Sequence, residues 1–149
     1  MYIDGKAALE YVTKELGYNL EDVIILGRSI GATVAMHVSQ DIDLGGLVLV
    51  TPLTSGKEHA QTALPGIFWL LAGGSFNSIG KIENVVCPIL IIHGTEDNVI
   101  PIDMGRKILE LARAEKRMVE IEGAGHNDLS TTYSTVYWPP IHEFTTQQE

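Results

Sequence analysis

Residues 23–31 read Val-Ile-Ile-Leu-Gly-Arg-Ser-Ile-Gly, an apolar run followed by a serine between two glycines. Four consecutive apolar residues are typical of a buried strand, and a helical pattern of small and apolar residues begins at Ala32. Ser29 is therefore expected at a sharp turn from strand to helix, where its hydroxyl is exposed. We expect both Gly27 and Gly31 to be needed, because no side chain fits where the strand and helix backbones close around the turn.

Size and charge restrict the class of protein. The chain has 149 residues, of which 45% are hydrophobic, so residues 1–149 are predicted to form a single domain with one sizeable core. Ten basic and nineteen acidic residues give a net charge of -9, which argues against nucleic acid and anionic lipid as partners. We expect a cytoplasmic protein without a membrane segment, because no apolar run reaches about eighteen residues. Cys87 is the single cysteine, so an intrachain disulfide is excluded.

Helical and strand patterns alternate along the chain. An amphipathic helix is predicted to be capped by Asp4 and to stop at Gly17. Short continuous apolar runs indicate parallel strands that are buried on both faces. After the strand at 23–26, the pattern predicts strands at 47–50, 89–92 and 117–121, and helices at 30–38, 104–114 and 136–144, the last interrupted by Pro139 and Pro140. The fold class is α/β, a parallel sheet of about four strands flanked by helices.

One segment does not follow this alternation. Residues 53–84 lack clean periodicity and contain the apolar cluster Phe68-Trp69-Leu70-Leu71. We predict that this insertion forms a lid or a pocket wall over the candidate site. The cluster either lines a substrate pocket or belongs to the core, and the sequence favours neither.

Two further loops carry groups that a reactive serine needs. The strand at 89–92 runs into a loop with Asp97, and the strand at 117–121 runs into a glycine-rich loop with His126. The carboxyl ends of parallel strands lie at one edge of a sheet, so Ser29, Asp97 and His126 are expected to meet there. A serine hydroxyl needs a base to take its proton, and the histidine needs a carboxylate to orient it. This chemistry requires no metal and no organic cofactor.

Plainer alternatives exist for these residues. Ser29 can mark a tight turn without chemistry, and Asp97 can cap the helix that follows it. Glu96 is a rival acid, and Asp128 is another candidate to orient His126.

The remaining polar candidates fit less well. His37 and His142 fall within predicted helices, His59 falls in the insertion, and His93 ends a strand and is expected to be structural. Arg28 can contact a substrate carboxylate or pair with a nearby acid, and the second is favoured.

Three motifs together resemble the α/β-hydrolase fold, over essentially the whole chain. They are Gly-Arg-Ser-Ile-Gly at 27–31, His-Gly-Thr-Glu-Asp at 93–97 and Gly-His-Asn-Asp at 125–128. Arg28 and the Tyr-Trp pair at 137–138 are similar to the branch that holds serine-aminopeptidase-like proteins and depalmitoylases.

This resemblance implies a serine hydrolase that cleaves an ester, thioester or amide through an acyl-enzyme. It implies Ser29 as the nucleophile, Asp97 as the acid that orients His126, and His126 as the base. The amide of Ile30, the residue after the nucleophile, is the implied oxyanion donor.

The resemblance covers only the C-terminal half of such a fold. The strands and the loop that supply a second oxyanion amide in the family have no counterpart before Ser29, and losing one donor costs about a hundred- to a thousandfold in rate. We therefore expect a slow hydrolase. The alternative is a non-catalytic half-domain. In either case, the open edge of the strand at 23–26 predicts a homo-oligomer or pairing with a separate N-terminal half.

Overall fold

A computed structural model describes residues 1–55 and 77–146. Helix α1 (Tyr2–Glu10) continues into a single π-helical turn at Tyr11–Glu15. A 3-10 turn at Leu20–Asp22 comes next. The elements that follow it are β1 (Ile24–Arg28), α2 (Ile30–Val38), β2 (Gly46–Val50), α3 (Ile79–Ile82), β3 (Ile89–Gly94), α4 (Ile102–Leu111), β4 (Lys116–Ile121) and α5 (Ser134–Thr146). The four strands form one parallel sheet, as predicted, and their order is β1-β2-β3-β4.

Apolar side chains of the central strands are buried on both faces of the sheet. Leu47 and Leu49 on β2 pack in the cluster that contains residues of α2 and α4, whereas Val48 and Val50 pack in the cluster that contains residues of α5. Alternate residues of a strand point to opposite faces, so continuous apolar runs follow from helices on both sides.

The first helix begins earlier than predicted. It starts at Tyr2, and Asp4 lies in its first turn instead of capping it. A carboxylate in this turn still favours the helix, because the helix dipole is positive at its N-terminus. Gly17 follows the π-helical turn and has φ of 78°, a conformation that favours glycine, so the predicted stop is confirmed.

The last helix is not interrupted. Pro139 and Pro140 both lie inside α5. Each proline removes one backbone donor, but Tyr137, Ile141 and Phe144 of the same helix are buried against the sheet. Burial of this apolar face keeps the helix continuous where the local sequence predicts a break.

Most of the predicted insertion lies outside the described residues. Of residues 53–84, the structure describes 53–55 and 77–84, in which Leu53 and Thr54 are buried. The apolar cluster at 68–71 and His59 are not among them, and the lid and the single domain over 1–149 stay predictions.

Strand β1 lies at an edge of the described sheet. Within the described residues it pairs with β2 alone. Leu26, which shares a face with Val48 through this pairing, is 50% exposed. An open groove of about 630 Å³ runs beside β1, between it and helices α1 and α2. A search of the two described segments found no helix with the length and apolarity needed to span a bilayer.

Candidate active site

Ser29 occupies the turn between β1 and α2. Its backbone has φ of 54° and ψ of −124°, and it is the N-cap residue of α2. The Ser29 amide donates to the Val50 carbonyl at 2.9 Å, so β2 holds the turn in place. A positive φ at a non-glycine residue is strained, and such strain is tolerated when the surroundings fix the backbone. The sequence-based prediction of a strand-to-helix turn at Ser29 is confirmed.

Steric crowding excludes a side chain at only one of the two glycines that flank Ser29. A Cβ at Gly27 would lie 2.6 Å from the Cβ of Ala35 and 2.7 Å from the Cα of Ala32. These distances mean that β1 and α2 approach too closely at Gly27 for any side chain. At Gly31, apart from its chain neighbours and the backbone of its own helix, no atom of the described residues lies within 4 Å of the Cβ position, so the described structure does not support the expectation for Gly31. Gly31 lines the open groove, and its carbonyl oxygen is one of the atoms that crowd Gly27.

The loop after β3 buries Asp97. Its Oδ1 accepts hydrogen bonds from the amides of Val99, at 2.9 Å, and Ile100, at 2.8 Å. These bonds fold the loop around the carboxylate, and the N-cap residue of α4 is Pro101. The alternative that Asp97 caps this helix is therefore wrong.

Asp97 is ionised because its hydrogen bonds outweigh its burial. Burial alone raises the pKa of a carboxyl group, since it disfavours the charged form. The rings of His126 and His93, the first through a hydrogen bond and the second from 3.5 Å, act in the opposite direction together with the Ile100 amide. Together they hold the pKa of Asp97 well below its usual range.

His93 contributes one of those two rings. It is fully buried, and its Nε2 lies 2.8 Å from the Ile100 carbonyl and 3.5 Å from Asp97 Oδ2. Since a carbonyl only accepts, Nε2 carries the proton. The structural role expected for His93 is thus to hold the Asp97 loop. Its Nδ1 is buried and has no partner among the described residues, and Gly105 of α4 leaves room for the ring.

The loops after β3 and β4 are joined directly. The Thr95 amide donates to the Ile121 carbonyl at 3.0 Å, and the Glu96 amide donates to the Ala124 carbonyl at 2.9 Å. A Cβ at Gly94 would collide with the Ala124 carbonyl, so this contact requires glycine. The acid loop therefore supports the loop that carries His126.

The structure brings together the three residues predicted to meet. His126 Nδ1 lies 2.8 Å from Asp97 Oδ2, and His126 Nε2 lies 3.2 Å from Ser29 Oγ. Because a carboxylate only accepts, Nδ1–H donates to Asp97, and Nε2 is then free to accept the Ser29 hydroxyl proton. The Asp97 side chain is fully buried and that of His126 is 10% exposed. The arrangement allows His126 to draw a proton from Ser29 while Asp97 stabilises the imidazolium.

The rival acids lie elsewhere in the same loops. Glu96 is exposed, and the ring of His126 bonds to Asp97 instead. Asp128 Oδ1 accepts from the Gly125 amide at 2.8 Å, so it shapes the histidine loop.

Arg28 has a contact that the sequence did not predict. Its Nη2 donates to the His126 carbonyl at 2.7 Å and to Asn127 Oδ1 at 2.9 Å. Among the described residues, no ion pair includes Arg28, and both acceptors of its Nη2 are uncharged oxygens. Sequence spacing offered no signal for this contact, because β1 and β4 lie at opposite edges of the described sheet. Pairing with a nearby acid stays a prediction.

The Ile30 amide is available at the start of α2. It donates to no acceptor of the described residues, as expected for the first N–H of a helix. This amide directly follows Ser29 and is the oxyanion donor predicted from the sequence. Within residues 1–55 and 77–146, no group of three or more His, Cys, Asp or Glu side chains is arranged to hold a metal ion.

A parallel sheet with a strained serine at the turn after β1, and with acid and histidine on the loops after β3 and β4, is an α/β-hydrolase fold. The similarity to known structures agrees. An acetyl xylan esterase from Paenibacillus sp. R4 matches 98% of this chain and 51% of its own, with a TM-score of 0.78 and 14% identity. Other structural neighbours are a monoacylglycerol lipase and an acylaminoacyl peptidase, at 15% and 17% identity.

Sequence comparison gives nearer relatives. The alpha/beta hydrolase domain-containing protein aho-3 of Caenorhabditis elegans is 38% identical over 129 residues, which are 87% of this chain and 38% of that protein. The human alpha/beta hydrolase domain-containing protein 17B is 35% identical over 129 residues, again 87% of this chain and 44% of that protein. The chain thus spans less than half the length of these two relatives. No family model matches the chain.

Proposed function

We propose that this chain carries the site of a serine hydrolase that cleaves a carboxylic ester, thioester or amide through an acyl-enzyme. The observation that carries the proposal is the continuous pair of hydrogen bonds from Ser29 through His126 to Asp97. The structural neighbours include an esterase, a lipase and a peptidase, which supports the same reaction class.

The proposed reaction has two halves. Ser29 Oγ attacks the acyl carbon while its proton passes to His126 Nε2, and the tetrahedral intermediate forms. When that intermediate collapses, His126 gives the proton to the departing alcohol, thiol or amine, and the acyl group remains on Ser29. Water then attacks the acyl-enzyme, His126 takes a proton from it, and the acid is released as Ser29 is restored.

Asp97 and Ile30 assist without forming covalent bonds. Asp97 accepts from Nδ1–H, which fixes the ring and stabilises the imidazolium that forms in each half. The Ile30 amide donates to the oxygen on which negative charge develops. With this amide as the donor among the described residues, we expect a protein of these 149 residues to turn over slowly.

A short-chain p-nitrophenyl ester tests this proposal. We expect a burst of nitrophenol followed by a slower steady rate, together with a mass increase equal to one acyl group, because the acyl-enzyme accumulates when deacylation is slow. Ser29→Ala should abolish both signals, whereas Ser130→Ala, which changes an exposed loop serine, should keep them. A burst that survives Ser29→Ala would contradict the proposal.

A second candidate function is favoured by the edge strand β1. A half-exposed leucine, and a strand edge that no described residue pairs with, lie beside an apolar groove, and these are features of a surface that pairs with another chain. We propose that a protein of these 149 residues associates with a second copy through this edge. The non-catalytic alternative is that this association is its whole function.

A further inference from the structure

The strand that carries Ser29 and the loop that carries His126 are linked by Arg28. Arg28 is the last residue of β1 and directly precedes Ser29 in the chain. Its guanidinium donates to the carbonyl oxygen of His126 itself, at 2.7 Å, and to the side chain of Asn127, at 2.9 Å. The bond thus joins the residue before the nucleophile to the residue that serves as the base.

We propose that Arg28 is a positioning residue that sets the distance between Ser29 Oγ and His126 Nε2. This inference rests on the proposed function. Strands β2 and β3 separate β1 from β4, so pairing of neighbouring strands does not tie the histidine loop to the nucleophile strand. Arg28 joins the two at the histidine loop, five residues beyond the end of β4.

Arg28 and Asp97 hold different parts of the same histidine. Asp97 fixes the orientation of the ring through Nδ1, and Arg28 fixes the main chain of His126 through its carbonyl. A guanidinium is planar and always charged, so its two hydrogen bonds from one nitrogen are short and directional. Without them, the bond to Asp97 stays and the serine–histidine distance of 3.2 Å is no longer fixed.

The rate of labelling by a fluorophosphonate probe, which reacts with an activated serine, tests this role. We expect Arg28→Met to slow labelling about ten- to a hundredfold, since small displacements of reacting groups have effects of this size. The fraction finally labelled should not change. Arg28→Lys should recover part of the rate, because an ammonium still donates. Arg117→Met is the matched control, because Arg117 pairs with Glu143 on the surface, and it should label like the parent protein.

Asn127→Ala provides a second test if Arg28→Met folds poorly. It removes one of the two acceptors, so we expect a smaller loss of rate than with Arg28→Met. Where Arg28→Met folds, the two losses should not add in the double variant, because both act through one contact. Where it does not fold, an unchanged labelling rate in Asn127→Ala would overturn the inference. Additive losses would overturn the inference.

The His126 Nδ1–H proton gives a readout that separates positioning from folding. We expect its low-field NMR resonance in the parent and in Arg28→Met, and not in Asp97→Asn. Loss of this resonance in Arg28→Met would overturn the inference, since Arg28 would then hold the loop as a whole. Unchanged labelling of Arg28→Met would overturn it while the proposed function stands. A parent protein that does not label at Ser29 would overturn both.

Discussion

Close approach of β1 and α2 at Gly27 shapes the turn that presents Ser29. A methyl group at this position meets backbone and side-chain atoms of α2 at 2.6 to 2.7 Å, and backbone atoms do not move aside cheaply. At Gly31, four residues further on, the same methyl group meets no described atom outside its own helix and its chain neighbours. The two glycines of one motif therefore differ in their reasons for being glycine.

Gly27→Ala and Gly31→Ala are a matched pair that tests this difference. We expect Gly27→Ala to lower the free energy of unfolding by about 2 to 3 kcal/mol, because the added methyl forces β1 and α2 apart. Gly31→Ala should leave it unchanged or raise it by up to about 1 kcal/mol, since alanine favours a helix. Urea denaturation of the two variants beside the parent measures both effects. Equal losses would show that both glycines are needed for space.

Asp97 makes the protein sensitive to acid. Its pKa in the folded state lies below the value of about 3.9 in an unfolded chain, so it stabilises the fold above that pH and the contribution falls as pH falls. We expect the difference in unfolding free energy between the parent and Asp97→Asn to shrink below about pH 4, by up to about 1.4 kcal/mol per pH unit. Urea titrations from pH 6 to pH 3 give this slope. A constant difference would mean that folding does not lower the pKa of the Asp97 carboxyl.

The reactivity of the Cys87 thiol tests whether the core around this residue is closed. The residue is fully buried, and burial raises the pKa of its thiol to about 11. We expect iodoacetamide not to modify Cys87 in the native protein at pH 8 and to modify it in urea, because the thiolate is the reactive form. Mass spectrometry of the treated protein measures this. Fast modification without urea would show that the core around β3 is open.

At the scale of single residues, the sequence predicted the three side chains that meet, because each follows a recognisable strand in a short motif. It did not predict the contacts that distinguish one candidate residue from the candidate beside it in the sequence. Glu96 and Asp97 are adjacent acids, and only the folded loop shows that Asp97 is the buried one. The contact of Arg28 joins positions 98 residues apart in sequence, and a single sequence carries no record of it.

Among the elements, α5 depends on packing more than on its own sequence. Phe144 is buried against the sheet, where Gly46 of β2 leaves room for its ring. We expect Phe144→Ala to cost about 3 kcal/mol or more of unfolding free energy, because it leaves a cavity in the core. Val136→Ala, on the exposed side of the same helix, should cost under about 0.5 kcal/mol. Thermal or urea unfolding compares them, and similar small losses would contradict this account of the helix.

The element boundaries show where sequence patterns stop being informative. Strands β1 and β3 each run two residues beyond the predicted ends, to Arg28 and to Gly94. Backbone pairing with β2 and β4 continues through these residues whatever their side chains are. In α5, the two prolines predict a break that burial of the helix prevents. Hydrophobic pattern thus located the elements, and long-range pairing and packing set their limits.

The edge of β1 leads to a prediction for the molecule as a whole. We expect light scattering to show that a protein of these 149 residues is a dimer, and Leu26→Lys to shift it to the monomer, because a lysine on an edge strand opposes pairing. Val86→Lys changes a residue that is 55% exposed outside the sheet and should leave the dimer intact. A monomeric parent at working concentrations would count against the proposed association.

The central claim is that Ser29, His126 and Asp97 form one working unit. Mass spectrometry of peptides after fluorophosphonate treatment tests it most directly, because it identifies the activated residue without a choice of substrate. We predict a single modified residue, Ser29, with no modification of Ser29→Ala and much slower modification of His126→Gln. Modification at another serine would contradict the claim. So would the absence of any modification in a protein that is folded, as shown by a Cys87 that iodoacetamide does not reach.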